Sequence, residues 1–122
     1  MKNLFPLAAF AALLAGCADV PQSANPAPMG PAIFQADTAQ TPGHIARCVY
    51  QAFQGRADVR FDDVPGGGKD ILASVNGATA EIISFTATAV GTHVEVHQAE
   101  GMRRDPMGFV KQARVCGAMS GS

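Results

Sequence analysis

The sequence contains no tryptophan and a single tyrosine among its 122 residues. Seven phenylalanines are the remaining aromatic residues. The core must therefore come from these and from isoleucine, valine, leucine and many alanines. Such a core buries little apolar area per residue, so a small domain built on it gains much from a covalent cross-link.

An excess of positive charge is also missing. Nine Lys and Arg residues stand against ten Asp and Glu residues, for a formal net charge of −1. This balance gives no electrostatic reason to expect a nucleic acid as partner.

The N-terminal apolar run is too short to span a bilayer. Leu4 to Leu14 carries no charge and follows Lys2, and a positive start, a short apolar centre and small residues at the exit are typical of a secretory signal. The exit, Leu14-Ala15-Gly16-Cys17, resembles the lipobox of bacterial lipoproteins. That resemblance implies a signal peptide over residues 1–16 and acylation of Cys17, for example with palmitate. A cleaved signal with a coincidental cysteine is the alternative.

The same resemblance bears on location. In lipoproteins of Gram-negative bacteria an aspartate after the acylated cysteine favours the inner membrane, and here that residue is Ala18. The expected location is the cell envelope, with the lipid in the outer membrane and the domain facing the periplasm.

Two cysteines remain after Cys17, and an exported protein experiences an oxidising compartment. We therefore expect a disulfide between Cys48 and Cys116, with two free buried thiols as the alternative.

Prolines divide the mature chain. The segment after Cys17 contains Pro21, Pro26, Pro28 and Pro31 among small and polar residues, which predict an extended tether. Together with the expected acylated cysteine, this tether occupies residues 17–40. Within it, Ile33-Phe34 is a bulky apolar pair that could dock onto the domain. The folded domain is expected over residues 41–122.

Two helices are predicted at the ends of this domain. Thr41-Pro42 starts the first and Gly55 ends it, with an apolar stripe of Ile45, Cys48, Val49, Ala52 and Phe53. Asp105-Pro106 starts the second and Gly117 ends it, with a stripe of Phe109, Val110, Ala113 and Cys116. Both cysteines should face the core.

Four strands are predicted between the helices, around Val59–Phe61, Asp70–Val75, Ala78–Val90 and Thr92–Gln98. Asn76-Gly77 favours a type I′ turn, and Asp62 to Gly68 is expected to be a loop. The turn would place Ile71 opposite Ile82 and turn Ile83 away. Either both sheet faces are partly covered, or a bulge lies near Glu81-Ile82.

The expected fold is therefore α+β: a four-stranded antiparallel sheet with two helices on one face, in the order α-β-β-β-β-α. In layout it resembles small proteobacterial envelope lipoproteins of unassigned function.

His93, Glu95 and His97 alternate on one side of the last strand, with Val94 and Val96 on the other. One histidine and Glu95 could share a metal ion, but the two histidines are too far apart along a strand to reach the same ion. A polar outer face is the simpler interpretation.

No pattern of a catalytic site is complete. Gly66-Gly67-Gly68-Lys69 lacks the other residues of a phosphate loop, Asp62-Asp63 has no calcium-loop spacing, and no G-x-S-x-G is present. Cys48 and Cys116 lie on apolar stripes, which argues against a nucleophile. We expect no enzyme activity and no cofactor.

These observations predict a non-enzymatic binding or assembly module, attached to a membrane through its lipid. Its contact face would include Thr86, Thr88, His93, Glu95 and His97, with an envelope protein or a glycan as partner and no nucleic acid. The alternatives are a metal-binding protein using His93, Glu95 and His97, and an inhibitor of an envelope enzyme acting through Asp62 to Gly68.

Overall fold

The computed structural model of this protein describes residues 29–120. The expected signal peptide, the acylated Cys17 and the first part of the tether lie outside these residues. Six strands and two helices follow one another: β1 (Met29–Thr38), α1 (Pro42–Gln51), β2 (Val59–Val64), β3 (Gly68–Val75), β4 (Ala78–Thr88), β5 (Gly91–Ala99), α2 (Phe109–Val115) and β6 (Met119–Ser120).

The strands form one antiparallel sheet in the order β2-β3-β4-β5-β1-β6. The α+β fold is confirmed, but the prediction of four strands is wrong. Five long strands are present, and the two-residue β6 extends the edge beyond β1.

The additional long strand, β1, comes from the predicted tether, so that prediction is wrong for Met29–Thr38. This segment pairs with β5 and buries Phe34 and Ala36, which are 6% and 3% exposed. Pro31 lies where the register of the β1–β5 pair shifts, a place where a missing N–H interrupts little. Burial of Phe34 and pairing along β5 outweigh the local effect of proline.

Helix α1 begins as predicted, since the Thr41 hydroxyl accepts a hydrogen bond from the His44 N–H and Pro42 opens the first turn. The helix ends at Gln51, earlier than Gly55 predicted. Turns over residues 52–55 still bury Phe53, but they leave Ala52 exposed.

Helix α2 starts later than Asp105-Pro106, at Phe109, with Gly108 as its N-cap. Asp105 has a φ of 52° and cannot continue into a helix. Its carboxylate still caps α2 from a distance, because its two oxygens accept from the N–H groups of Val110 and Lys111. Gly117, with a φ of 101°, follows the helix end as predicted.

A bulge resolves the register conflict of β3 and β4. Val75 pairs with Ala78 across the Asn76-Gly77 turn, whose two residues both have positive φ. The register then shifts between Ser74↔Thr79 and Ala73↔Glu81, which leaves Ala80 as the extra residue. Ile71 consequently lies opposite Ile83, and both are fully buried.

Both helices pack on one face of this sheet, which we call the covered face. The predicted disulfide between Cys48 and Cys116 is confirmed, with Cα atoms 5.9 Å apart and a sequence separation of 68. In the chain-entropy model, closing such a loop stabilises the fold by about 4 kcal/mol. The principal core side chains are Phe34, Ile45, Val49, Ile71, Ile83, Phe85, Val94, Val96 and Phe109.

Candidate functional site

The other side of the sheet, which we call the open face, is covered by neither helix. On β5, alternation turns Val94 and Val96 into the core and His93, Glu95 and His97 outward, as predicted. The side chains of these three residues are about one-third exposed.

These three side chains form a continuous hydrogen-bonded row that extends onto β1. Glu95 is at its centre, with one carboxylate oxygen 3.0 Å from His93 Nε2 and the other 2.9 Å from His97 Nε2. His93 Nδ1 lies 2.9 Å from an oxygen of Asp37, and His97 Nδ1 lies 3.0 Å from the carbonyl oxygen of Gly30. We call Asp37, His93, Glu95 and His97 the polar row.

The partners in this row favour protonated histidines. Every imidazole nitrogen faces an oxygen that can only accept, so each ring satisfies both contacts by donating two N–H groups. The Asp37 carboxylate, followed by Glu95, raises the pKa of His93. The Gly30 carbonyl, followed by Glu95, raises the pKa of His97. Hydrogen bonds from His97 and His93 lower the pKa of Glu95.

The two predicted threonines lie beside this row. Thr86 on β4 is paired with His93 and is exposed, and Thr88 lies at the end of the same strand, opposite Gly91. The structure thus brings all five predicted residues to one face. Only the three from β5 hydrogen-bond to one another.

Sequence reasoning missed the contribution of β1. Asp37 and the carbonyl of Gly30 both lie in the segment taken as tether. The alternation of buried Phe34 and Ala36 with exposed Gln35 and Asp37 is the signal that could have revealed them.

An apolar pair lies on the open face next to the row. Leu72 on β3 is paired with Ile82 on β4, and Ile82 is paired with His97 on β5. Both side chains are half-buried. The face therefore combines a small apolar patch with a row of ion-paired groups.

Metal binding finds no support in this arrangement. Glu95 uses one oxygen for each histidine, and all four imidazole nitrogens have a protein acceptor. Among residues 29–120, no group of three or more His, Cys, Asp and Glu side chains is placed to hold a metal ion.

The acidic segment Asp62 to Gly68 is mostly strand, so the predicted loop is reduced to Pro65–Gly67. Arg60 pairs with Asp62 at 2.9 Å, and Lys69 pairs with Asp63 at 2.6 Å. The lysine of the glycine-rich segment is thus engaged by a carboxylate across the hairpin.

A buried polar cluster that the sequence did not indicate lies at one end of the covered face. Glu81 is fully buried, and its Oε1 accepts from the Met107 N–H at 2.8 Å. The neighbouring Gln98 accepts from the Asp105 N–H and donates to the carbonyls of Met102 and Arg103. Burial, followed by the Asp105 carboxylate, raises the pKa of Glu81 to about 9. This cluster holds the segment before α2 in a non-helical path.

No helix in the described part of the chain is long and apolar enough to cross a membrane. No known protein family, curated protein or solved structure matches the chain.

Proposed function

We propose that this protein is a lipid-anchored lipoprotein of the bacterial envelope that binds another envelope protein through the open face of its sheet and catalyses no reaction. The lipobox-like Leu14-Ala15-Gly16-Cys17 supports the anchor. The observation that carries the binding role is that both helices pack on one face and leave the other, with its polar row, accessible.

The composition of the open face favours a protein over a glycan as partner. Protein interfaces combine an apolar centre with a polar margin, as Leu72 and Ile82 do with the polar row. Small-ligand sites are concave and rich in aromatic side chains. This face is the surface of a sheet, and among residues 29–120 none of its outward positions is Phe, Tyr or Trp.

The disulfide supports the same role. A partner-binding sheet has to keep its strand register, and the Cys48–Cys116 bridge joins the two helices that pack behind it. The contact surface is therefore preorganised, which lowers the entropic cost of binding.

The test is cross-linking in intact cells, followed by mass spectrometry under non-reducing conditions. Thr86→Arg places a long charged side chain on the open face, opposite His93 of the polar row, and Gln51→Arg makes a matched change at an exposed position of α1. We expect the wild type and Gln51→Arg to give the same dominant complex and Thr86→Arg to lose it, while both variants keep the circular dichroism spectrum of the wild type.

Retention of the complex in Thr86→Arg would show that the partner binds elsewhere. Absence of any complex with the wild type would overturn the binding role. The mass of the mature N-terminal peptide tests the anchor separately, because an unmodified Cys17 is incompatible with it.

A further inference from the structure

Four exposed cations lie around α2: Arg103, Arg104, Lys111 and Arg114. We call them the basic surface. Within residues 29–120 none of them forms a salt bridge. Of the other four Lys and Arg residues in 29–120, Arg56, Arg60 and Lys69 each pair with an aspartate at 2.6 to 2.9 Å, and Arg47 on α1 forms no salt bridge.

The cations of the basic surface border two adjacent cavities. One, of about 470 Å³, is lined by Arg103, Arg104 and Lys111 among other residues. The second, of about 490 Å³, is lined by Arg104, Lys111 and Arg114 together with Val115. Arg104, Asp105 and Lys111 border both cavities, so the four positive charges lie around a single carboxylate, whose oxygens accept from the backbone N–H groups of Val110 and Lys111.

Contacts with β1 hold two of these cations in place. The Arg104 Nη2 donates to the carbonyl of Ile33 at 2.8 Å, and the Arg114 guanidinium lies over the ring of Phe34, 5.2 Å from its centroid. Both guanidinium groups belong to exposed residues and keep donors free for an anion. Val115, which is 72% exposed, adds an apolar side chain to this cationic region.

The position of the basic surface relative to the expected anchor indicates its partner. Arg104 lines a further cavity with Gly30 to Ile33, at the end of β1 where the described chain begins. Cys17 precedes Met29 by 12 positions (29 − 17). Even a fully extended chain of this length spans only about 40 Å. A lipid on Cys17 would therefore keep this end of the domain within about 40 Å of its membrane.

We propose that the basic surface contacts anionic phospholipid headgroups of the membrane that holds the Cys17 anchor. The proposal rests on the proposed lipid anchor. An anionic membrane surface attracts lysine and arginine side chains, which stabilises the bound state. A basic patch therefore strengthens the membrane binding that a lipid chain provides. Because α2 packs on the covered face, this contact turns the open face away from the membrane and towards a partner.

The experiment is hydrogen exchange on the mature full chain in phosphatidylcholine vesicles, with and without phosphatidylglycerol. We expect exchange over residues 103–115 to slow when phosphatidylglycerol is present and to recover at high salt. The variant Arg104→Gln/Lys111→Gln/Arg114→Gln should lose this difference. Arg56→Gln/Arg60→Gln/Lys69→Gln removes the same charge elsewhere and should keep it.

Equal exchange of the wild type in both vesicles would overturn the proposal. Protection that persists in the first variant would also overturn it. Protection that disappears in the second variant would do so too, because the net charge of the chain would then be responsible. An absent lipid anchor can be distinguished from an absent headgroup contact, because the intact mass of the same sample shows whether Cys17 is acylated. An unmodified chain mixed with the vesicles still tests the basic surface by its phosphatidylglycerol-dependent protection.

Discussion

Glu81 and Glu95 lie on neighbouring strands of one sheet and point to opposite faces. Glu81 is fully buried on the covered face, where burial and the Asp105 carboxylate raise its pKa to about 9. Glu95 lies on the open face between two imidazoles, whose hydrogen bonds lower its pKa. The same residue type is therefore a neutral acid on one face and an anion on the other at neutral pH, so packing decides its charge.

The largest expected difference between the faces concerns two adjacent isoleucines of β4. Ile83→Ala leaves a cavity in the core and should lower the free energy of unfolding by about 3 kcal/mol. Ile82 is half-buried on the open face, and Ile82→Ala should cost only about 1 kcal/mol. Urea denaturation of both variants provides the measurement. Equal losses would mean that the open face is buried as well, and the comparison would fail.

A second effect should follow the charge of Glu81. Its pKa is raised from 4.5 to about 9 in the folded state, so the folded chain holds a proton that the unfolded chain releases. The stabilisation is complete below pH 4.5 and is lost as the pH rises towards 9. The slope from one such group is at most about 1.4 kcal/mol per pH unit.

Glu81→Gln removes this titration and should flatten the decline of unfolding free energy between neutral and alkaline pH. Glu100→Gln, at an exposed position, is the matched control and should leave the decline unchanged. Denaturation curves recorded across this range measure both. A Glu81→Gln variant with the wild-type pH dependence would show that Glu81 is ionised in the fold.

The smallest expected effect lies in the polar row and is best observed as a shift in pKa. Glu95→Gln removes an anion from both imidazoles and should lower the pKa of His93 and of His97. Asp37→Asn should lower the pKa of His93 alone. Titration of the imidazole Cε1–H resonances by NMR measures both shifts. Unchanged pKa values in Glu95→Gln would contradict the hydrogen bonds between Glu95 and the two histidines.

The sign of the associated stability change follows from the raised pKa of both histidines. Their ion pairs stabilise the fold fully below the unfolded pKa of 6.5, and this contribution is lost as the pH rises through the folded values. Because the side chains are partly exposed and screened, the effect should stay below about 1 kcal/mol.

Local patterns were sufficient for several elements of this fold. The hydroxyl of Thr41 and the ring of Pro42 act within one helical turn, and Asn76-Gly77 determines its own turn. The alternation of Val94 and Val96 with the polar residues of β5 likewise placed three site residues on one face. Each of these effects depends on neighbours a few positions away, so the residues alone predict it.

The Pro-rich segment shows the opposite case. The strand formed by Met29–Thr38 exists because β5 offers a free edge and the core accepts Phe34, and both partners are far away in the sequence. Asp37 joins the polar row for the same reason. The late start of α2 similarly depends on Glu81 and Gln98, which hold the backbone of residues 105–107 from another part of the sheet.

The sequence by itself determined the α+β composition, the helix start at Thr41, the hairpin turn and the pairing of the two remaining cysteines. Local backbone preferences were enough for the first three, and the pairing of Cys48 with Cys116 followed from setting Cys17 aside as the expected acylation site. Only the tertiary structure decided the fifth long strand, the bulge at Ala80, the neutral Glu81 and the row that joins Asp37 to His97. Long-range strand pairing and burial set these features, because they determine which side chains meet and which are removed from water.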